Sequence, residues 1–364
     1  MATLGAPFIP PHCPRSDCRF HRSALGWRWT RHGSFASRAS ACRIPRFRCV
    51  YCRHTFSSQT FSTTYWLKRP DVLIAAAFRL LACSGYRQIA REARCSPTTV
   101  LTHAARLGRH ALLWHERHRP SGPIREPLVI DGFESFAHSQ YHPLHLNLVV
   151  GTPSHFTYAF THTELRRKGR MTAQQKRRRA WLEAVYGRPD PRGIEQGMRA
   201  ALRLAARAPQ TLRLHSDEHD DYPRALRGLG HNIQHERTSS LEARTAGNPL
   251  FPVNRLDLLL RHNSANHKRE TIAFSKRHQS VVERCAWLLA WLNWSKPFSE
   301  RHGGGTPAMR LGLSTRPIPI RELLRSRLFP TRVSLPEPWD EYYGGRVRTR
   351  RIRNERRHCL KMAG

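Results

Sequence analysis

"TLRLHSDEHDDYPRAL", residues 211–226, reads as a short strand, an acid and a short helix in immediate succession. Leu212 and Leu214 alternate with Thr211, Arg213 and His215, the period-two pattern of a strand with one buried face. Asp217 follows at the carboxyl end of that strand. Asp220 and Asp221 precede "YPRAL" and are placed to cap a helix. Upstream, "GIEQGMRAALRLAARA" (193–208) is an amphipathic helix ended by Pro209. Further upstream, "PLVIDGFESF" (127–136) is an apolar strand that ends in Asp131. "LHLNLVVGTPSHFTYAF" (144–160) supplies two more strands around a Gly-Thr-Pro-Ser turn. Strands alternating with helices give an α/β or α+β domain, in which sites gather at the carboxyl ends of strands. Asp131 and Asp217 are two of only nine aspartates in the chain, so their equivalent positions are informative.

The surrounding charge sharpens that point. The 364 residues carry 62 Lys+Arg against 26 Asp+Glu, a formal charge of +36, with an isoelectric point near 11.4. Such a field attracts polyanions through phosphate neutralisation, which makes nucleic acid the expected partner. A membrane span is excluded from the expectation, because the longest apolar run, "CAWLLAWLNW" (285–294), is too short to cross. "MATLGAPFIPPHCP" (1–14) has neither a charged nor an apolar leader segment, which predicts a cytoplasmic, reducing setting. There the nine cysteines serve as metal ligands and core thiols rather than disulfides.

Cys13 and Cys18, then Cys49 and Cys52 in "FRCVYCRHTFS" (47–57), form two close pairs suited to one tetrahedral zinc ion. Cys42, His21 and His54 compete as ligands. The intervening segment is poor in aliphatic residues, so metal binding would supply its folding energy. "RPDVLIAAAFRLLACSGYRQIAREARCSPTTVLTHAARLGRHALLWHER" (69–117) then gives a helix-turn-helix. Ile89, Ala90 and Ala93 mark its first helix, Cys95-Ser96-Pro97 the turn, and Val100, Leu101, Ala104 and Leu107 the second. That second helix would offer Thr98, Thr99, Thr102 and His103 to a major groove, with Arg94 and Arg106 for phosphates. An ordinary helical hairpin has the same pattern. Cys83 and Cys95 read as core thiols.

A third acid would complete a carboxylate set able to hold two divalent cations. Asp257, on a helix that starts near Val253 with Asn254 one turn before it, is preferred to Glu270, which is flanked by His267, Lys268 and Arg269. The basic run "ELRRKGRMTAQQKRRRAWLEAVYG" (164–187) reads as a partly helical DNA-backbone track. The end, "LPEPWDEYYGGRVRTRRIRNERRHCLKMAG" (335–364), reads as a partly disordered basic arm in which Cys359 is a bystander.

In this order, over residues 10–315, these pieces resemble insertion-sequence transposases of the zinc-ribbon, helix-turn-helix, DDE type. The resemblance rests on "FRCVYCRHTFSSQTF", "GFESF", "HSDEHDDYP", "RLDLLLRHNSANHKRETIAFSKR" and "GGGTPAMRLGL". It implies a zinc ribbon (1–60), a helix-turn-helix domain (61–122), an RNase H-like catalytic domain (123–315) and the basic arm (316–364). Two magnesium or manganese ions would be held by Asp131, Asp217 and a third acid, Asp257 or Glu270. In related sequences that acid falls where this chain has Asn254. The implied reaction is cleavage of double-stranded DNA at the element's ends and transfer of the freed 3′-hydroxyl to target DNA, by a homo-oligomer associated with the nucleoid. Two other readings stay open. One is a non-enzymatic DNA-binding regulator or inactive relic. The other is a zinc protease, since His215, Glu218 and His219 match H-x-x-E-H, which needs both histidines on one helix face.

Overall fold

The computed structural model describes residues 8–37, 39–350 and 352. Strands β1 (Trp29–Ser37), β2 (Ser40–Cys49) and β3 (Thr55–Ser57) pair antiparallel in that order. Their small core is aromatic rather than aliphatic: Phe20, Phe47, Phe56 and Phe61 pack with Cys13, Cys18 and Cys49, closed by Phe329 from far along the chain.

Helices α1 (Asp71–Leu81), α2 (Tyr86–Glu92) and α3 (Pro97–His118) follow. Ser96 caps α3 by accepting the Thr98 N–H at 3.2 Å, and Pro97 takes the first helical position, where a missing N–H costs nothing. Beyond Leu107 the helix continues for three turns with Ala111, Leu112 and Leu113 buried, so only its first turns are available to an outside partner. A Cβ at Gly108 would lie 2.5 Å from the Glu283 carbonyl oxygen, so a side chain at 108 would drive apart the helices that cross there.

The larger sheet is built from β4 (Leu128–Phe136), β5 (Pro143–Gly151), β6 (Thr157–Glu164), β7 (Thr211–Ser216) and β8 (Asn232–Arg237), ordered β6-β5-β4-β7-β8. The first three form an antiparallel meander, whereas β7 and β8 run parallel to β4. Helices α4 (Ala173–Tyr186) and α5 (Gly193–Ala205) make the crossover from β6 to β7. Helix α5 lies so close to the sheet that a Cβ at Gly197 would sit 2.2 Å from Thr163 Oγ1. Helices α6 (Asp221–Leu226), α7 (Phe251–Asn263) and α8 (His278–Trp294) follow. In α8 nearly every side chain is buried, which accounts for "CAWLLAWLNW" as a core helix. Among the described residues no helix is long and apolar enough to cross a membrane.

Short helices α9 (Pro307–Arg310), α10 (Ile320–Leu323) and α11 (Trp339–Tyr343) follow. They correct the expectation of a free arm from residue 316. Trp339 is 1% exposed and its indole donates to the Phe160 carbonyl at 2.9 Å, while Tyr342 Oη accepts the His162 N–H at 2.8 Å. The aromatic residues of "WDEYYGG" bury enough apolar area to override the Pro- and Arg-rich composition around them. Cys359 and residues 353–364 lie outside the described residues. One continuous core joins α1–α3, the five-stranded sheet, α8 and residues 320–347.

Candidate active site

Strand β7 pairs with β4 only at Leu128↔Leu214 and Val129↔His215, because β7 ends at Ser216. The same offset, carried two residues on, brings Asp131 level with Asp217. Strand β4 does not stop there: pairing with β5 continues to Phe136, so Asp131 lies within a strand rather than at its end. What singles it out as a candidate is the loss of the other neighbour, since pairing of β4 with β7 ends at Val129.

Asp131 is half-buried, and its Oδ1 accepts the Gly132 N–H at 2.7 Å and the Tyr222 hydroxyl at 3.0 Å. Burial and the charge of Asp217 push its carboxyl up to about 6, against those two hydrogen bonds. Tyr222 comes from α6, is fully buried, and is pushed well above its ordinary range by burial and by the charges of Asp131, Asp217 and Asp257. Asp217 Oδ1 in turn accepts the His219 N–H at 2.9 Å, which fixes the turn between β7 and α6. Asp257 projects from α7, which packs against β4 and β5. Burial and the charge of Asp131 push Asp257 up to about 8, with Arg261 and Arg244 opposing, and its buried Oδ1 has no hydrogen-bond partner. Three aspartates from three different segments thus act electrostatically on Tyr222, and Asp131 is coupled to each of the other two. An orphaned carboxylate oxygen beside further carboxylates is the donor set a hard divalent cation takes. The three are more open than a closed metal cage: among the described residues, only the four cysteines of the ribbon bring three or more such ligand atoms within 4.8 Å of one another.

Glu270, the alternative third acid, is exposed in the turn after α7 and is not among the main charges acting on Asp131 or Asp257. Nor do the H-x-x-E-H residues form a site. His215 lies in β7, Glu218 and His219 lie in the following turn, and Glu218 Oε2 accepts the Ser240 N–H at 3.2 Å. Asp220 caps α6 only by position, since its side chain makes no capping hydrogen bond.

Two supporting residues escape a sequence reading. A Cβ at Gly132 would come 1.7 Å from the His145 ring, so imidazole packs directly over the backbone beside Asp131. Burial pulls that imidazole down to about 4, and its Nδ1 pairs with Asn147 Oδ1 at 2.9 Å. Tyr222 and His145 sit in ordinary helix and strand patterns. Nothing short of the packing of α6 and β5 onto β4 identifies their partners.

In the ribbon, Cys13, Cys18, Cys49 and Cys52 converge, with Cys13 and Cys52 Sγ 3.6 Å apart. Four thiolates about 2.3 Å from one zinc ion stand about 3.8 Å from each other, so the set fits a tetrahedral ion. Burial works against ionisation of Cys49, but the Trp27 indole N–H at 3.2 Å and the backbone N–H groups of Cys52 and Tyr51 bring it down to about 7. His21 is removed as a competitor, because its Nδ1 and Nε2 lie 2.9 Å from the Cys13 carbonyl and 2.8 Å from Thr331 Oγ1. Cys42 is exposed on β2, and neither it nor His54 joins the group.

In the helix-turn-helix, Arg94, Thr98 and Thr102 are exposed and Thr99 is half-buried. His103 and Arg106 correct the expectation. His103 is 2% exposed, with its ring nitrogens 2.7 Å from the Thr99 carbonyl and 2.8 Å from the Arg69 carbonyl. Arg106 turns inward to donate to the Thr63 carbonyl at 2.9 Å, and burial beside Arg109 and Arg327 lowers it to about 10. Both lie on the face of α3 that meets the preceding chain. Cys83 and Cys95 are half-buried, Cys95 packing against the main core, whereas Cys285 is fully buried within it.

No family model and no curated protein matches the sequence. Among solved structures, a chain of the cryo-EM structure of simian T-cell lymphotropic virus intasome in complex with PP2A regulatory subunit B56 gamma aligns over 67% of this chain and 74% of its own, at 15% identity and a TM-score of 0.24. A likeness at that score carries no argument about fold or function.

Proposed function

We propose that the chain is a DNA transposase of the zinc-ribbon, DDE type, whose catalytic domain (123–315) is RNase H-like. Behind it stand the ribbon (1–60) and helix-turn-helix (61–122), with residues 316–350 acting as a brace. The reading rests on Tyr222, buried beside Asp131 and hydrogen-bonded to it at 3.0 Å, on which the charges of Asp131, Asp217 and Asp257 all act, in a chain of formal charge +36. A cationic protein that concentrates carboxylates at one point, and leaves one oxygen unpartnered there, is suited to hold cations against a polyanion. The mixed sheet, with a three-strand meander joined to two parallel strands, supports the fold assignment.

In this reading Asp131, Asp217 and Asp257 would hold two magnesium or manganese ions, and Cys13, Cys18, Cys49 and Cys52 would hold one structural zinc ion. The catalytic ions would supply Lewis-acid charge at the phosphodiester being cut and rejoined. The chain's own residues do the rest. Tyr222 fixes the Asp131 carboxylate by holding Oδ1, and the His219 N–H does the same for Asp217. His145, kept neutral by burial, closes the sheet side without adding positive charge that would compete with the cations. Arg94, Thr98, Thr99 and Thr102 offer the DNA-facing surface of the helix-turn-helix.

The test is magnesium-dependent cleavage of labelled duplex DNA taken from the two boundaries of the protein's own reading frame. Wild type cuts it, and Asp217→Asn reduces cutting to background while binding is retained. Binding without cutting by wild type would favour the regulator or relic.

A further inference from the structure

Helix α4 leaves three large apolar side chains in water: Trp181 at 46%, Val185 at 53% and Tyr186 at 42% exposure, with Leu182 its one buried residue. The helix is nonetheless well fixed. Thr172 and Gln175 cap it reciprocally, Glu183 pairs with Arg166 at 2.8 Å, and Arg179 donates to the Arg167 carbonyl at 3.0 Å. Arg350 donates to the Gly187 carbonyl at its far end. Spacing by three and four residues places Arg177, Arg178, Trp181 and Val185 on one outward stripe. The Arg178 guanidinium lies 4.4 Å over the Trp181 ring, and the Tyr186 ring is 6.2 Å from it. Residues 165–188 hold nine Lys and Arg and a single acid, Glu183.

What covers this stripe must match rings and cations together. A second copy of the chain would set nine cations against nine. A DNA duplex answers the cations but keeps its base faces stacked inside. An unpaired strand offers both phosphates and open base faces. We propose that α4 is a stacking platform for unpaired bases of a DNA strand, with Trp181 and Tyr186 receiving the bases and Lys176, Arg177 and Arg178 the phosphates.

The strand that leads into α4 lies in the same sheet as Asp131. Strands β4 and β6 run in the same direction, and the register Ser135↔Leu144↔Glu164 sets the end of β6 level with the end of β4. Glu164 thus lies about 13 Å beyond Asp131 along the strands and about 10 Å across them. That distance is on the order of five nucleotides of a DNA strand. Helix α4 begins nine residues after Glu164.

The proposal rests on the DNA reading but not on cleavage chemistry, so binding without added magnesium tests it. Fluorescence anisotropy compares a blunt duplex with the same duplex carrying an unpaired tail of about eight nucleotides. Wild type is expected to prefer the tailed probe. Trp181→Ala should lose about tenfold on the tailed probe and less than about twofold on the blunt one, with its melting temperature unchanged and Trp181→Phe restoring the preference. A Trp181→Ala protein that keeps the tail preference overturns the proposal, as does a wild type that shows none, or a variant whose only change is a smaller sedimentation mass. Wild type that binds neither probe overturns the DNA reading itself.

Discussion

At the residue scale, the chemistry turns on how far carboxylates are driven from their ordinary behaviour. Asp257 is held up to about 8 when folded, against 3.8 ordinarily. Between those values the folded chain carries a proton that the unfolded chain has lost. Stability therefore falls as pH rises from about 4 to about 8, and Asp131, held at about 6, adds to the lower part of that fall. In metal-free buffer, Asp257→Asn should flatten the upper part of the dependence and raise stability at pH 8 by about 1–3 kcal/mol, read by urea unfolding. Magnesium should close the gap by stabilising the wild type. A variant no more stable than wild type at pH 8 would remove the idea that Asp257 is an uncompensated carboxylate. The same logic explains Tyr222, whose hydroxyl donates to Asp131 and holds its pKa lower than burial alone would set it.

At the element scale, the ribbon and the helices differ in what holds them. The ribbon sheet has an aromatic core of a few rings around four cysteines, too little apolar area to stand alone. Replacing Cys49 by Ser, or stripping zinc with a chelator, should unfold this segment. Zinc binding of roughly 10–16 kcal/mol in comparable small sites exceeds what its few rings contribute. Limited proteolysis should then cut between residues 13 and 57 while the fragment beginning near α1 persists. Survival of the ribbon after quantitative zinc removal would mean that its aromatic packing suffices. Helix α3 has the opposite character: Val100, Ala104, Leu107 and Ala111 share the main core, and His103 and Arg106 are anchored to neighbouring backbone. Their loss should therefore be felt as stability before it is felt as DNA affinity.

At the scale of the whole molecule, 62 cations against 26 acids make the proposed association with DNA an electrostatic process. If six to ten phosphates are neutralised, affinity for duplex DNA should fall by about 10³–10⁵ between roughly 50 and 200 mM salt. Titrations by anisotropy across that range check this, and a nearly flat dependence would show that the charge serves something other than phosphate contact. The cations also do internal work: Arg166, Arg192, Arg199 and Arg207 are paired with Glu183, Glu195 and Glu116 within the fold.

How much of this was legible beforehand follows from the range of the interactions involved. Alternation in "TLRLHS", the Ser96-Pro97 cap and the paired cysteines are local patterns, and each forms the element its spacing predicts. The cationic neighbours of Glu270 in the chain are the local reason for proposing Asp257 instead as the third acid. Other features depend on residues that meet only after folding. Strand β4 continues past Asp131 because β5 pairs with it where β7 does not. His103 faces inward because Arg69, 34 positions earlier, receives its ring. The supposed arm becomes part of the core because Phe160 and His162 accept and donate to Trp339 and Tyr342. The sequence by itself determined the elements and the four-cysteine ligand set, since these follow from local period and ligand type, and its net charge is what points to a polyanion partner. Only the tertiary structure decided which side chains share a field, because burial and charge proximity depend on contacts between segments far apart in the chain.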